Sequence, residues 1–294
     1  MKTNAIIRLV AFSITLVLLN GLLLTGLSLK SYLDRKETIT TWPPSHDADI
    51  AGSGTRGDIS TVSSDIRNIE IKWVIGTITV QAGDVEQTTY QETAVSDCRY
   101  RMVSEVSAGE LEIEYCSEDI SLSFFGINDD AIEITKDLTI TVPRGTSLDS
   151  LEIEAASAEV IIRDLNVRKI SLDTASGRCT LENCDIGELD IDTASGDISF
   201  TGSLDILDYD AASAKFIGIL DVTPRKIDID TLSGDVDLTL PSDAGFTVLM
   251  DAVSGHLTAH FQMTISGGRY ICGDGKCSIE FDGMSGDITL RKAG

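Results

Sequence analysis

The chain has 294 residues, with 47 acidic against 23 basic side chains and a formal charge of −24. Nucleic acid wants a basic face, so that balance excludes it as a partner, and adsorption to anionic lipid would need bridging cations. With three histidines and no GxSxG, Walker or HExxH spacing, catalysis has no motif to rest on.

Residues 6–29 form an apolar run broken only by Arg8, a few Ser and Thr, Asn20 and two glycines. It is long enough to cross a bilayer. A signal peptide is the competing reading, but the apolar part is long for one and no Ala-x-Ala-like site follows. The expectation is an uncleaved signal anchor with residues 1–5 in the cytoplasm. Lys2 and Arg8 on one side, and Lys30, Arg35 and Lys36 on the other, leave the orientation open. Residues 30–58, polar and containing Pro43 and Pro44, read as a tether. Residues 59–294 then form one ectodomain.

Strand patterns begin at Ile69-Glu-Ile-Lys-Trp and Gly76-Thr-Ile-Thr-Val80, and Ser107-Ala108-Gly109 reads as a hairpin turn. Phe124-Phe125-Gly126 is a loop whose apolar tip either touches a membrane or partner or tucks into the core.

From residue 151 a phrase repeats: Thr174-Ala-Ser-Gly, Thr193-Ala-Ser-Gly-Asp197, Thr231-Leu-Ser-Gly-Asp235 and relatives. Its serines are Ser157, Ser176, Ser195, Ser213, Ser233, Ser254 and Ser285, spaced by 19, 19, 18, 20, 21 and 31 residues. A period near twenty means one supersecondary unit stacked on itself. Six and four residues before each serine, and three after it, the columns are almost wholly apolar. Spacing by two within each column pair is strand periodicity with one buried face. Each unit therefore reads as strand, tight Ser-Gly corner, strand and return. The expected fold is all-β, a parallel β-solenoid (β-helix) of about seven coils with a β-rich N-terminal lead-in, preceded by one transmembrane helix. Each coil should hydrogen-bond to the next, about 4.8 Å away.

Two outward columns carry charge. Three residues before the serine stand Glu154, Asp173, Asp192, Asp210, Asp230, Asp251 and Asp282. Stacked carboxylates repel unless cations, water or backbone NH groups intervene. Asp173, Asp192, Asp210, Asp230 and Asp251 are thus candidates for a cation-binding stripe, or for Asx-type caps on the corner backbone. No cofactor is expected beyond a divalent cation there. Two residues after the serine, Glu159, Arg178, Asp197, Lys215 and Asp235 alternate in sign, which would fix register across a ladder.

The six cysteines fall as three local pairs, Cys98 with Cys116, Cys179 with Cys184, and Cys272 with Cys277. Even, paired usage suits disulfides in an oxidising, extracytoplasmic place, although Cys179 also sits in a core column. The expected location is the cell membrane, single-pass, with the C-terminal domain outside. Arg163, Arg168 and Lys169 cluster at one turn and would be the polysaccharide-binding residues of a β-helix enzyme, or plain solvated surface.

Ile69-Glu-Ile-Lys-Trp-Val-Ile-Gly-Thr-Ile-Thr-Val80, Lys136-Asp-Leu-Thr-Ile-Thr-Val-Pro143, Asp230-Thr-Leu-Ser-Gly-Asp-Val-Asp-Leu-Thr-Leu-Pro241 and Met284-Ser-Gly-Asp-Ile-Thr-Leu290 together carry a resemblance. Over residues 60–294 the chain resembles the bacterial putative-adhesin family of β-strand-repeat domains of unknown function, common in Firmicutes. The resemblance implies a non-catalytic cell-envelope protein, sometimes tied to envelope-stress responses, and supplies no catalytic residues. The anchor, the tether and a repeat without catalytic residues lead to the expected partners, the cell's own membrane through residues 6–29 and an envelope component or protein ligand. A sensor that binds a cationic peptide is the alternative.

Overall fold

The computed structural model describes residues 59–62, 65–94, 102–115 and 135–294. The expected anchor over 6–29, the tether, Cys98, Cys116 and the Phe124-Phe125-Gly126 tip lie outside the described residues. Among the described residues every regular element is a strand, and no helix is long and apolar enough to cross a membrane.

The lead-in comprises β1 (Ser60–Thr61), β2 (Asn68–Gly83), β3 (Thr89–Ala94), β4 (Val103–Ser107), β5 (Glu110–Glu114) and β6 (Lys136–Pro143). The repeat follows as β7 (Ser147–Arg163), β8 (Asn166–Ser176), β9 (Cys179–Ser195), β10 (Ile198–Ser213), β11 (Phe216–Leu220), β12 (Lys226–Ser233) and β13 (Val236–Leu240). The chain closes with β14 (Phe246–Ser254), β15 (Leu257–Ala259), β16 (Thr264–Ser266), β17 (Arg269–Cys272), β18 (Cys277–Ser285) and β19 (Ile288–Lys292).

The repeat stacks in parallel register, as its spacing predicts. Leu151 stands beside Ile170, Ile170 beside Leu189, Leu189 beside Leu207 and Leu207 beside Ile227. Past the corner, Val160 stands beside Cys179, Cys179 beside Ile198, Ile198 beside Phe216 and Phe216 beside Val236. All of these side chains are buried, and they form one continuous core. Inside it Thr174 donates to Thr193 at 3.1 Å, a hydroxyl pair that ends at Ala211, the next residue in the column.

The corner has a steric explanation. Gly196 has φ 141, and a Cβ there would lie 2.0 Å from the Gly177 carbonyl oxygen. At Gly177, with φ 133, a Cβ would meet the Ala158 carbonyl oxygen at 2.1 Å. Where glycine follows the serine, the corner is seated so closely on its neighbour that a Cβ would clash, whereas Ala158 and Ala214 hold the same position with a Cβ in place.

The coils do not stack wholly in chain order, contrary to the simplest reading of the repeat. β18 lies between β12 and β14, and β19 between β13 and β15. Ser285 is therefore flanked by Ser233 and Ser254. The interval of 31 residues before Ser285 holds the antiparallel hairpin of β16 and β17. β17 runs back along the start of β14, and a turn through Gly273 and Gly275, both left-handed, delivers β18 to β14's other side. The last coil is thereby buried on both edges. The start of the chain uses the same device. β2 lies between β7 on one side and β5 and β6 on the other.

The β4–β5 hairpin forms at the expected turn, with Ala108 at φ 52 and Gly109 at φ 84. At this end Lys136 is fully buried, its Nζ 2.6 Å from Glu92 Oε1 and 4.0 Å from the Tyr115 ring centre. Nothing in the sequence pattern marks that buried charge.

The two described cysteine pairs are not disulfides, and the register says why. Phe246 stands directly between Cys272 and Cys277 in the sheet. Two strand spacings separate their Cα atoms by about 9–10 Å, beyond a disulfide's span of about 4.4–6.8 Å. Cys179 and Cys184 are five positions apart along β9, again too far to bridge. All four are buried free thiols. Burial pushes Cys179 and Cys277 up to about 12, so neither is a reactive thiolate.

Candidate binding face

The outward side of the long arms carries the charge. Parallel pairing sets Glu154, Asp173, Asp192, Asp210, Asp230, Asp282 and Asp251 side by side across seven strands. Strand alternation puts the residues two positions earlier on the same face. Glu152, Asp190, Asp208, Asp228 and Glu280 form that second column, with Ser171 between the first two. The result is a flat lattice of carboxylates, about 4.8 Å apart across strands and about 6.6 Å apart along them. The sequence reading found only the first column. The second was available from the same alignment, five residues before each serine.

The electrostatics follow from burial, then from crowding. Burial first, then the neighbouring Glu154, raises Asp173 to about 6. Burial and the Asp173 charge raise Asp192 to about 6. Asp210, half-buried between Asp192 and Asp230, is pushed up to about 8. Asp173 and Asp192 stand in register on neighbouring strands, and after burial each one's proximity to other carboxylates adds to the rise. Adjacent rungs thus resolve part of their repulsion by holding protons. Among the described residues no group of three or more His, Cys, Asp or Glu is arranged to hold a metal ion.

Lysines stand in and beside the lattice. Lys169 pairs with Glu188 at 2.8 Å and Asp190 at 3.2 Å, and Lys226 with Asp228 at 2.8 Å. At the N-terminal end Lys72 interrupts the first column, between Glu114 and Glu154. It contacts Glu70 at 2.5 Å, Glu112 at 2.9 Å and Glu114 at 3.9 Å. Burial works against its charge, but these partners hold Lys72 well above the usual lysine range.

The column after the serine works differently from the expected alternation of ion pairs. Asp287 accepts from the backbone N–H of His256 at 2.8 Å, and Asp235 from that of Asp287 at 3.0 Å. Asp197 accepts from the Lys215 N–H at 3.3 Å. These carboxylates cap the corner of the neighbouring coil, the role considered above for the other column. The coil exchange also sets Asp235 beside Asp287, breaking the alternation.

Arg163, Arg168 and Lys169 do not converge on a pocket. Arg163 pairs with Glu182 at 2.7 Å, and Arg168 lies 3.8 Å from Asp149.

A parallel β-repeat with glycine corners and one dense acidic face is what the family comparison must account for. The Toastrack DUF4097 model matches residues 46–204, more than half of the chain. The chain belongs to the Toastrack DUF4097 family. In this Toastrack protein the match ends within β10, so the exchanged C-terminal coils lie beyond it. Among curated proteins none matches. A putative cell adhesion protein from Clostridium sporogenes shares 14% identity and a TM-score of 0.37, over 81% of this chain and 99% of its own. A putative adhesin from Bacteroides fragilis shares 11% and 0.40, over 80% and 100%. A putative lipid binding protein from Parabacteroides distasonis shares 16% and 0.44, over 81% and 98%. Likenesses this distant carry no functional argument for the Toastrack chain.

Proposed function

We propose that this chain is a non-catalytic binding protein of the cell envelope, anchored through residues 6–29, with a solenoid of about seven serine-marked coils outside the cytoplasm. The observation that carries the binding role is the carboxylate lattice. It is regular, and burial, followed by the charge of neighbouring carboxylates, raises several of its members in the folded state. A surface that repels itself gains most from a ligand that brings positive charge. The ligand class is therefore cationic: a basic peptide, a polyamine-like chain or a basic patch on another envelope component. Adhesion and peptide sensing share this chemistry, and the sensing reading draws the more direct support from it.

Cells displaying the full chain should bind fluorescent oligolysine. The triple variant Asp173→Asn, Asp192→Asn, Asp210→Asn should bind at least about tenfold less, by loss of complementary charge. Equal binding by both would remove the acidic face from the function. Topology needs its own probe, because the four described cysteines are buried. Ser266→Cys, at the exposed end of β16, should react with an impermeant maleimide on intact cells. Labelling only after lysis would place the domain inside.

A further inference from the structure

The C-terminal end of the stack is an open sheet edge. The β17 strand pairs with β14 only at Phe246, Thr247 and Val248. Among the described residues the rest of β14, from Leu249 to Ser254, pairs only with β18. β15 likewise pairs only with β19. Both strands lie in the outermost described coil, so among the described residues one side of each backbone, beyond the β17 pairing, has no strand beside it.

The side chains there match an unfinished rung. Met250, Ala252, Leu257 and Ala259 continue the inward columns that are fully buried one coil below, at Phe281, Ile288 and Leu290, yet they are only partly covered. On the outward side Leu249 is 39% and Val253 49% exposed, flanking Asp251. Ile265 at 71%, the most exposed large apolar side chain described, stands on the adjoining hairpin. Repeat proteins need a polar terminal cap for solubility, and exposed edges template strand addition. Here the hairpin caps a third of β14 and leaves the rest bare.

Charge selects the occupant. The acidic column runs to this edge through Asp230 and Asp282 and stops at Asp251. At its other end the column contains Lys72, which is held between acids of neighbouring strands. A second copy of this chain is a poor fit. It carries −24, and its opposite edge presents Glu105 beside Glu112. We infer that the free edge of β14 and β15 accepts an extended strand from a partner protein, with apolar and basic side chains alternating and a basic residue opposite Asp251. Main-chain hydrogen bonds to Leu249–Ser254 supply affinity, while Asp251 and the Met250–Ala252 surface set register. The inference goes beyond the acidic-face reading by assigning a separate surface at the end of the stack, although it shares the premise of a binding protein.

The experiment uses the full chain in nanodiscs and a seven-residue peptide alternating valine and lysine, with a shuffled peptide of the same composition as control. Hydrogen exchange should show the amides of 249–254 and 257–259 slowing on addition of the alternating peptide only. Asp251→Lys should weaken the peptide at least about tenfold by reversing the facing charge. Asp221→Lys, an equal charge change on an exposed turn, should not. Three results would overturn the inference. One is no new protection at these amides. Another is protection spread over 173–210 and insensitive to Asp251→Lys, which is adsorption to the acidic face. The third is full protection before peptide is added, with sedimentation then telling a second copy from the chain's own tail. Oligolysine binding lost while edge protection persists fails the acidic-face proposal alone, and the reverse fails this one alone.

Discussion

The corner and the flat face of each coil are built from neighbouring residues, yet they obey opposite constraints. At the corner, geometry dictates chemistry. Gly196 is seated against the Gly177 carbonyl with no room for a Cβ, and the Asp column beside it caps backbone N–H groups of the next coil. On the face, chemistry opposes stability. Asp210 stands between two other aspartates, and its carboxyl is held far above the ordinary value. The corner is explained once the stack is explained. The face is not, because serine or threonine would satisfy the same strand positions at lower cost. That contrast is why the face, and not the repeated Ser-Gly phrase, is the proposed binding surface.

The sharpest way to break the contrast is at the corner. Gly196→Val places a branched side chain where φ is 141 and a carbonyl oxygen lies 2.0 Å from the Cβ position. Backbone strain and overpacking together should cost about 3–5 kcal/mol in urea unfolding. A loss under about 1 kcal/mol would mean the coils separate easily and the tight corner is not what fixes their stacking.

Next in size is the response of the face to pH. Asp173, Asp192 and Asp210 have folded values raised to about 6, 6 and 8, above the ordinary 3.8. The native state therefore holds more protons than the unfolded chain between about pH 4 and 8. Their contribution is fully present below pH 4 and is lost as pH rises through these folded values. Because they titrate as one coupled set, partly screened by water, the summed loss between pH 4.5 and pH 8.5 should be about 2–4 kcal/mol. Stability that rises over that interval would show the carboxylates to be compensated by bound cations. Calcium titration at pH 8.5 would then identify the stripe that the isolated lattice does not show.

How much of this was legible in the sequence follows from the range of each interaction. The strands, the corners and the outward aspartates recur at fixed offsets from Ser157 to Ser285, so local pattern alone exposes them. The exchange of the last two coils is not local. Ile279 stands between Ile227 and Val248, a choice set by the β16–β17 hairpin and by burial of both edges of β18. The interval of 31 residues was its only trace. The cysteine pairing failed for a related reason. Nearness in sequence is not nearness in space here, because Phe246 stands between Cys272 and Cys277. Lys136 left no trace, because its partners come from distant parts of the chain, Glu92 from β3 and Tyr115 from just after β5.

A single substitution sharpens the face further. Asp210→Asn keeps the shape, removes one crowded carboxylate and can still hydrogen-bond. It should stabilise the protein by about 1–2 kcal/mol at pH 8.5 and by under about 0.5 kcal/mol at pH 4.5, where the wild-type carboxyl is already protonated. Thermal unfolding at both pH values reads the difference. Destabilisation at pH 8.5 would make Asp210 a structural acceptor, and the corner and face would then follow the same rule.

The smallest effect separates two carboxylates that both belong to the corner. Asp287 accepts from the His256 N–H at 2.8 Å, while its own N–H donates to Asp235 at 3.0 Å. Asp197 accepts only from the Lys215 N–H, at 3.3 Å. A charge-assisted bond of good length is worth more than a long exposed one. Asp287→Ala should therefore cost about 1–1.5 kcal/mol, and Asp197→Ala about 0.5 kcal/mol or less. The site of the larger loss also matters. Asp287 joins the last two coils, which exchange places, so removing it should speed hydrogen exchange in β14 and β15 before global unfolding. If Asp197→Ala costs more, the middle of the stack rather than its exchanged end depends on these caps, and the outermost coil is held chiefly by its apolar columns.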